Sequence, residues 1–203
     1  MKRFSLFFFA FLLIPALQTG AQTYNIGFSP IGNTNVEVSV KSAGVNYAFR
    51  NIAGVSFSKE LSSDGIGFMT EASYSFGKFD SADMSKKSDA FTIFTGEDGD
   101  NVSILTGMVW YNYVINAKHR VQFPLGLGFG AGYFRGGPFH HFMGLVGAKA
   151  RVKFYITNNF GIFAGATYRY GFSSERQAVE NTEFSMSIPT KYAEAGIIFD
   201  LHR

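Results

Sequence analysis

The residues with the clearest potential for catalysis are a histidine pair and a later cluster of hydroxyl and carboxylate side chains. His140 and His141 are adjacent, and Ser173, Ser174 and Glu175 follow further along the chain. A serine nucleophile, a histidine base and a glutamate that orients the histidine would form a hydrolase triad, with His141, Ser174 and Glu175 as candidates. No serine is singled out by its context, and no third ligand accompanies the histidines as a transition metal would need. The simpler interpretation is solvated loops, so we predict no enzyme activity, metal or cofactor.

Two other segments resemble ligand sites, and each lacks part of the required pattern. Glu97-Asp98-Gly99-Asp100-Asn101 closes an acid-rich stretch that begins at Asp80. It lacks the ligand spacing and the distal glutamate of a calcium loop. The glycine-rich run Gly126–Gly132 lies inside an apolar alternation and not before a helix, so a phosphate-binding loop is not expected. We expect the acidic stretch to be a hydrated surface loop, with a bound divalent cation as the alternative.

A third constellation consists of charged residues on the polar side of alternating segments. Its members are Glu71, Lys149, Arg151, Arg169 and Glu194. If the elements that carry them close around a common interior, these charges must pair, because an unpaired buried ion bears a heavy desolvation cost. We predict a structural network of ion pairs in which Arg169 faces Glu194. A gate for a narrow ion or water path is the alternative.

The composition narrows the classes of protein that can carry these residues. The 203 residues include no Cys, 23 Gly and 24 Phe, and 46% are hydrophobic. The lack of Cys excludes a disulfide framework, a lipid anchor on an N-terminal Cys and a Cys nucleophile. The hydrophobic share excludes a disordered chain.

Residues 1–21 have the three parts of a secretory signal peptide. Lys2 and Arg3 precede an apolar run from Phe4 to Leu17, and Thr19-Gly20-Ala21 follows. The run is shorter than the ~20 residues that cross a membrane as a helix. We predict export by the Sec route and cleavage near Ala21, which leaves one domain of residues 22–203. Loss of the two basic residues lowers the formal charge from +3 to +1, so nucleic-acid binding is not indicated.

After the leader, apolar residues recur at every second position, as in strands with one apolar face. From Val121 to Tyr133 the odd positions are apolar and the even positions are mainly glycine. The same alternation occurs at residues 66–76, 142–156, 160–172 and 192–201. Val102–Ile115 is apolar on both faces, so its facing is left open. The polar faces are mainly Gly, Ser and Thr, which favours a crowded interior and an apolar exterior in lipid. A soluble β-barrel is the alternative.

The connections alternate in length along the chain. Tight turns are predicted at Ser62–Gly65, Asn116–His119 and Thr157–Asn159, and longer links at Lys78–Asn101, Phe134–His141 and Ser173–Thr190. Short turns at one end and long loops at the other are typical of an antiparallel up-and-down transmembrane β-barrel, whose closure pairs the backbone.

The number of strands depends on the first part of the domain. Six strands follow residue 65, and we expect two more from Asn33–Leu61, which gives eight. The alternation changes parity near Lys41–Gly44, which indicates a bulge or a turn, and Asn51–Gly54 is a second turn candidate. The assignment within residues 24–61 is open. Ten strands is the alternative if Phe91–Phe94 pairs inside the barrel.

The last strand carries a more specific pattern. Glu194, Gly196, Phe199 and Leu201 have the spacing of a polar residue, a glycine and two later hydrophobic residues. The spacing resembles the C-terminal β-signal that the outer-membrane assembly machinery recognises. With the leader, the alternation and the length, residues 33–203 resemble the small outer-membrane β-barrel family (OmpA-barrel and OmpX-like).

This resemblance implies an integral protein of a Gram-negative outer membrane. Its implied partners are outer-membrane lipids, lipopolysaccharide and, during biogenesis, the assembly machinery. The lumen of an eight-stranded barrel is just wide enough for side chains to fill. We therefore expect a structural or surface-recognition role through the long loops. The alternatives are a narrow channel and an outer-leaflet lipid-modifying hydrolase.

Overall fold

The computed structural model is a closed barrel of eight antiparallel strands joined in chain order. The strands are β1 Ala21–Val40, β2 Ala43–Ser63, β3 Ile66–Asp83, β4 Asn101–Ile115, β5 Val121–Gly136, β6 Phe139–Tyr155, β7 Phe160–Gln177 and β8 Thr182–Asp200. The structure describes residues 21–40, 43–83, 101–136, 139–177 and 182–201, with side chains at 22–29, 53–78, 101–135, 141–173 and 187–201. Because β1 pairs with β8, the sheet of the described strands closes on itself and has no edge strand. The predicted all-β, up-and-down architecture is confirmed.

Helices contribute nothing to this architecture where the chain is described. Within those residues, no helix has the length and apolar character needed to cross a membrane.

The three predicted tight turns lie together at one end of the barrel, called here the turn end. Asp64 and Gly65 between β2 and β3 have φ of 49° and 85°, and Asn116 after β4 has φ of 60°. These values lie in the left-handed region, which Gly, Asn and Asp adopt most readily. Between β6 and β7, the hydroxyl of Thr157 accepts a 3.0 Å hydrogen bond from the amide of Phe160. The opposite end, which carries the other connections, is the loop end.

The apolar rows face outward and the polar rows face the lumen, as predicted. Leu127 and Phe129 are 70% and 66% exposed, whereas Glu71 and Lys149 are buried. Exposed aromatic residues form two belts, with Phe76, Tyr168, Tyr170 and Phe172 toward the loop end and Phe154 and Phe199 toward the turn end. An apolar outer surface between two aromatic belts is the surface that a barrel presents to lipid.

The structure also decides the facing of β4, which is apolar on both sides. Met108 and Trp110 are completely buried in the lumen, and Tyr111 and Tyr113 are exposed. This strand therefore supplies the lumen with its bulkiest side chain.

The chain before residue 61 forms two long strands, so the barrel has eight strands among the described residues. The connection between β1 and β2, residues 41–42, falls within the bulge or turn predicted at Lys41–Gly44. The other candidate turn, Asn51–Gly54, is wrong, because it lies within β2 where the register with β3 shifts between Arg50 and Ala53. Such a bulge absorbs extra residues without ending the strand. The ten-strand alternative depends on Phe91–Phe94, which lie outside the described residues.

Two of the predicted long loops are shorter than expected. β5 and β6 continue until only residues 137–138 separate them, and β7 and β8 until only residues 178–181 do. Backbone pairing of β7 with β8 reaches Gln177 and Thr182, which carries these strands past the aromatic belt. Residues 84–100 lie outside the described residues, so the hydrated loop stays a prediction and the bound cation stays its alternative.

Candidate functional site

Inward-facing glycines make room for the largest side chains of the lumen. A Cβ built on Gly128 would lie 2.5 Å from Cε3 of Trp110, and a Cβ on Gly147 would lie 3.0 Å from Cη2 of the same indole. A Cβ on Gly165 would lie 2.7 Å from Cγ of Arg151. The glycine rows of β5, β6 and β7 therefore permit a close approach that any larger residue would block.

Glu71 of β3 is the centre of the predicted charged set. Its carboxylate accepts hydrogen bonds from Nζ of Lys149 and Nη2 of Arg169, and a third from Nη2 of Arg151 at 3.2 Å. All four side chains are at least 95% buried. The three cations come from β6 and β7, across the lumen from β3. One carboxylate thus links two distant parts of the barrel wall.

Glu194 of β8 is the second carboxylate of the cluster. It accepts hydrogen bonds from Nε of Arg151 at 2.7 Å and from Nη2 of Arg151 at 3.1 Å. The hydroxyl of Thr167 donates a further bond at 3.1 Å, and Nζ of Lys149 lies 3.7 Å away. The two-pronged contact with Arg151 is the geometry in which guanidinium and carboxylate bind most strongly.

Arg169 contacts Glu71, and not Glu194 as the sequence analysis predicted. Its Nη2 donates to Glu71, and its Nη1 donates to the hydroxyls of Ser73 at 2.8 Å and Thr106 at 3.0 Å. The hydroxyls of Ser73 and Thr106 are themselves 2.6 Å apart. Arg169 therefore reaches across to β3 and β4, and Arg151 takes the place beside Glu194.

Each of the three cations of the cluster also lies near an aromatic ring. The distances to the ring centroids are 4.4 Å from Nζ of Lys149 to Trp110, 4.5 Å from Cζ of Arg151 to Phe163, and 4.9 Å from Cζ of Arg169 to Tyr192. In a desolvated site, one such contact contributes about 2 kcal/mol. The rings supply negative faces where the carboxylates are outnumbered by three cations to two.

A further ion pair was missed by the sequence analysis. Nζ of Lys153 lies 2.5 Å from Oε2 of Glu60, and both side chains are buried. Lys153 has the same parity in β6 as Lys149 and Arg151, so its inward direction could have been found. The inward direction of Glu60 could not be predicted, because the strands within residues 24–61 were not assigned.

Charges of opposite sign balance in the described lumen. The buried acids are Glu60, Glu71, Glu194 and Asp200, and the buried cations are Lys149, Arg151, Lys153 and Arg169. Balanced pairing is what burial demands, since a single unpaired ion costs several kcal/mol. Among the described residues, no group of three His, Cys, Asp or Glu side chains could hold a metal ion.

The inward residues toward the loop end are apolar on β4, β6 and β8. Ile104, Met143, Leu145 and Ile188 are each at least 95% buried. They continue the inward rows of their strands past Thr106, Lys149 and Tyr192. On this side of the barrel, the polar interior therefore ends in a layer of hydrocarbon.

The residues of the candidate triad lie on strands and not in loops. His141 belongs to β6, and Ser174 and Glu175 belong to β7, beyond the last β6–β7 pair formed by Gly144 and Phe172. The side chain of His141 is half-buried, but those of Ser174 and Glu175 are outside the described set, as is that of His140. The hydrolase triad stays a hypothesis.

The residues of the assembly pattern divide between the two faces of β8. Glu194 faces the lumen, and a Cβ on Gly196 would lie 2.6 Å from the ring of Phe163. Phe199 and Leu201 are exposed on the outer surface. Glu194 thus belongs both to the ion cluster and to the pattern, and recognition by the assembly machinery stays a prediction.

Comparison with known proteins gives matches of structure and not of sequence. No protein-family model matches the chain, and no curated protein matches its sequence. The outer membrane protein OprG from Pseudomonas aeruginosa superposes with a TM-score of 0.59 at 10% identity, over 91% of this chain and 97% of that one. Neisserial surface protein A gives 0.47 at 14% identity over 87% and 96%, and Ail of Yersinia pestis gives 0.41 at 14% over 89% and 100%. The chain has the fold of the small eight-stranded outer-membrane β-barrel proteins.

Proposed function

We propose that the chain is an integral outer-membrane protein with a structural role or a role in recognition at its loop end. No solute passes through its lumen. The observation that carries this proposal is the filled lumen. Glu71, Glu194 and their cations occupy its middle, and Trp110 fills the space beside them. Moving a solute through would require breaking several buried ion pairs, each costly to separate. A barrel whose lumen is filled in this way fits a structural role, or recognition of external molecules by the loop end.

Conductance in planar bilayers tests this proposal. The refolded chain should show a heat-modifiable shift on SDS gels and no conductance steps, with a general porin as positive control in the same bilayers. A chain that shows the gel shift and also conducts ions in discrete steps would overturn the proposal.

A narrow channel is the second candidate. Buried polar residues on both sides of the ion cluster favour this alternative. Thr23 and Asp200 lie toward the turn end, and Ser73 and Thr106 lie toward the loop end. Under this alternative, Glu71→Ala should raise a measurable single-channel conductance, because Glu71 is the shared partner of three cations. Under the filled-lumen proposal, the wild-type protein shows no conductance steps.

A further inference from the structure

The outer surface of β4–β8 has a groove of about 1000 Å³. Its floor includes four alanines that the register places side by side. Ala150 of β6 pairs with Ala166 of β7, which pairs with Ala193 of β8, and Ala148 lies one outward position from Ala150. Because alanine side chains are short, the sheet surface is depressed where four of them meet.

Large side chains form the walls of the alanine groove. Leu127 of β5 is 70% exposed, and Tyr111 and Tyr113 of β4 are about half exposed beyond it. Tyr168 of β7 borders the groove on the side nearer the loop end. The groove is therefore an apolar furrow on the outer surface. It begins near the turn end on β4 and runs obliquely across the strands to β8, toward the loop end.

Lys191 lies at the upper corner of this groove. It is exposed, lines the groove and pairs across the sheet with Tyr168. The next outward residues of β7 toward the loop end are Tyr170 and Phe172, which belong to the aromatic belt. Lys191 is therefore at the height of the loop-end aromatic belt, which is the depth at which lipid headgroups begin.

The described outward side chains of β7 and β8 offer no anion to Lys191. Along the described outward faces of β7 and β8, from Phe160 to Phe172 and from Ser187 to Phe199, the residues are apolar, aromatic or uncharged apart from Lys191 itself. Glu194 and Asp200 of β8 face the lumen. A ligand that combines a phosphate with hydrocarbon chains would complement both the charge and the groove.

We propose that the groove binds one lipid A molecule of the outer leaflet, with a phosphate on Lys191 and an acyl chain over the alanine floor. The choice of lipid A rests on the proposed function, because the loop end of an outer-membrane barrel faces the outer leaflet. A second copy of the chain does not fit as the occupant. If the β7–β8 faces of two copies met, each Lys191 would be buried against apolar residues without an anion.

Native mass spectrometry of the full chain in zwitterionic detergent tests this inference. Diphosphoryl lipid A, phosphatidylglycerol and phosphatidylcholine are titrated separately. Wild type should retain one lipid A at the lowest concentration. Lys191→Gln should weaken that binding about fivefold, the effect of one basic residue at an anionic lipid surface. Ala166→Leu fills the groove and should weaken it at least as much.

Two matched variants serve as controls. Ala131→Leu adds the same bulk to an exposed alanine of β5 outside the groove, and Lys59→Gln removes a lysine near Tyr24 on the other side of the barrel. Both should bind lipid A like wild type, and the gel shift confirms folding of every variant. Equal binding of phosphatidylcholine, tighter binding of phosphatidylglycerol, or a protein dimer that Ala166→Leu disrupts would overturn the inference. If the gel shift and silent bilayers persist in any of these cases, the proposed function stands without it.

Discussion

A Cβ on Gly128 of β5 would lie 2.5 Å from the indole of Trp110 on β4, its direct partner across the sheet. Real Cβ atoms essentially never approach a ring so closely, so the glycine is the condition for placing an indole in this lumen. The indole in turn lies beside the ammonium of Lys149. Packing and electrostatics of the lumen are therefore coupled through this one contact.

Gly128→Ala should destabilise the barrel by about 1–3 kcal/mol, the usual range for overpacking a tight interior. Urea unfolding in lipid vesicles measures this loss. In a Trp110→Leu background the same substitution should cost less, because the ring is gone. Gly107→Ala is the matched control, since a Cβ there meets nothing within 4 Å. Equal costs at both glycines would contradict the packing argument.

Glu71→Gln should cost about 3–5 kcal/mol, because it leaves three buried cations with Glu194 as their nearest carboxylate. The free energy of unfolding in vesicles is again the measurement. Asp64→Asn is the control, since it removes a carboxylate from the exposed ion pair with Lys118 at 3.7 Å, and such pairs contribute less than about 1 kcal/mol. A Glu71→Gln barrel as stable as wild type would show that the cluster does not hold the wall together.

The Lys153–Glu60 pair should behave as a coupled unit. Lys153→Met alone leaves Glu60 buried without its cation and should cost about 3–5 kcal/mol. The double variant Glu60→Gln/Lys153→Met should recover most of that loss, because no unpaired charge remains. Additive losses in this double-mutant cycle would argue that the two side chains do not interact.

Leu127→Arg should destabilise the barrel by about 2–4 kcal/mol, because it places a charge in the lipid-facing surface. Asn158→Arg, in the exposed β6–β7 turn, adds the same side chain in water and should change the unfolding free energy little. If Leu127→Arg proved neutral, the outward apolar rows would not face lipid.

The period-two alternation by itself determined most of the barrel. Parity assigns each side chain to one face of its strand, and the choice between Gly-rich and apolar rows then assigns inside and outside. For that reason, the inward direction of Glu71, Lys149, Arg151, Arg169 and Glu194 followed from sequence alone. The tight turns followed as well, because Gly, Asn and Asp mark positions that need a left-handed backbone.

Only the tertiary structure decided which of these side chains meet. Partners across a lumen lie on strands that are not neighbours, and their relative height depends on the stagger accumulated around the whole barrel. That stagger places Arg151, and not Arg169, beside Glu194, and it brings Lys153 to Glu60. It also settles the facing of β4 and gathers the four alanines of the outer groove. A local pattern fixes the direction of a side chain, whereas its contacts depend on closure of the sheet.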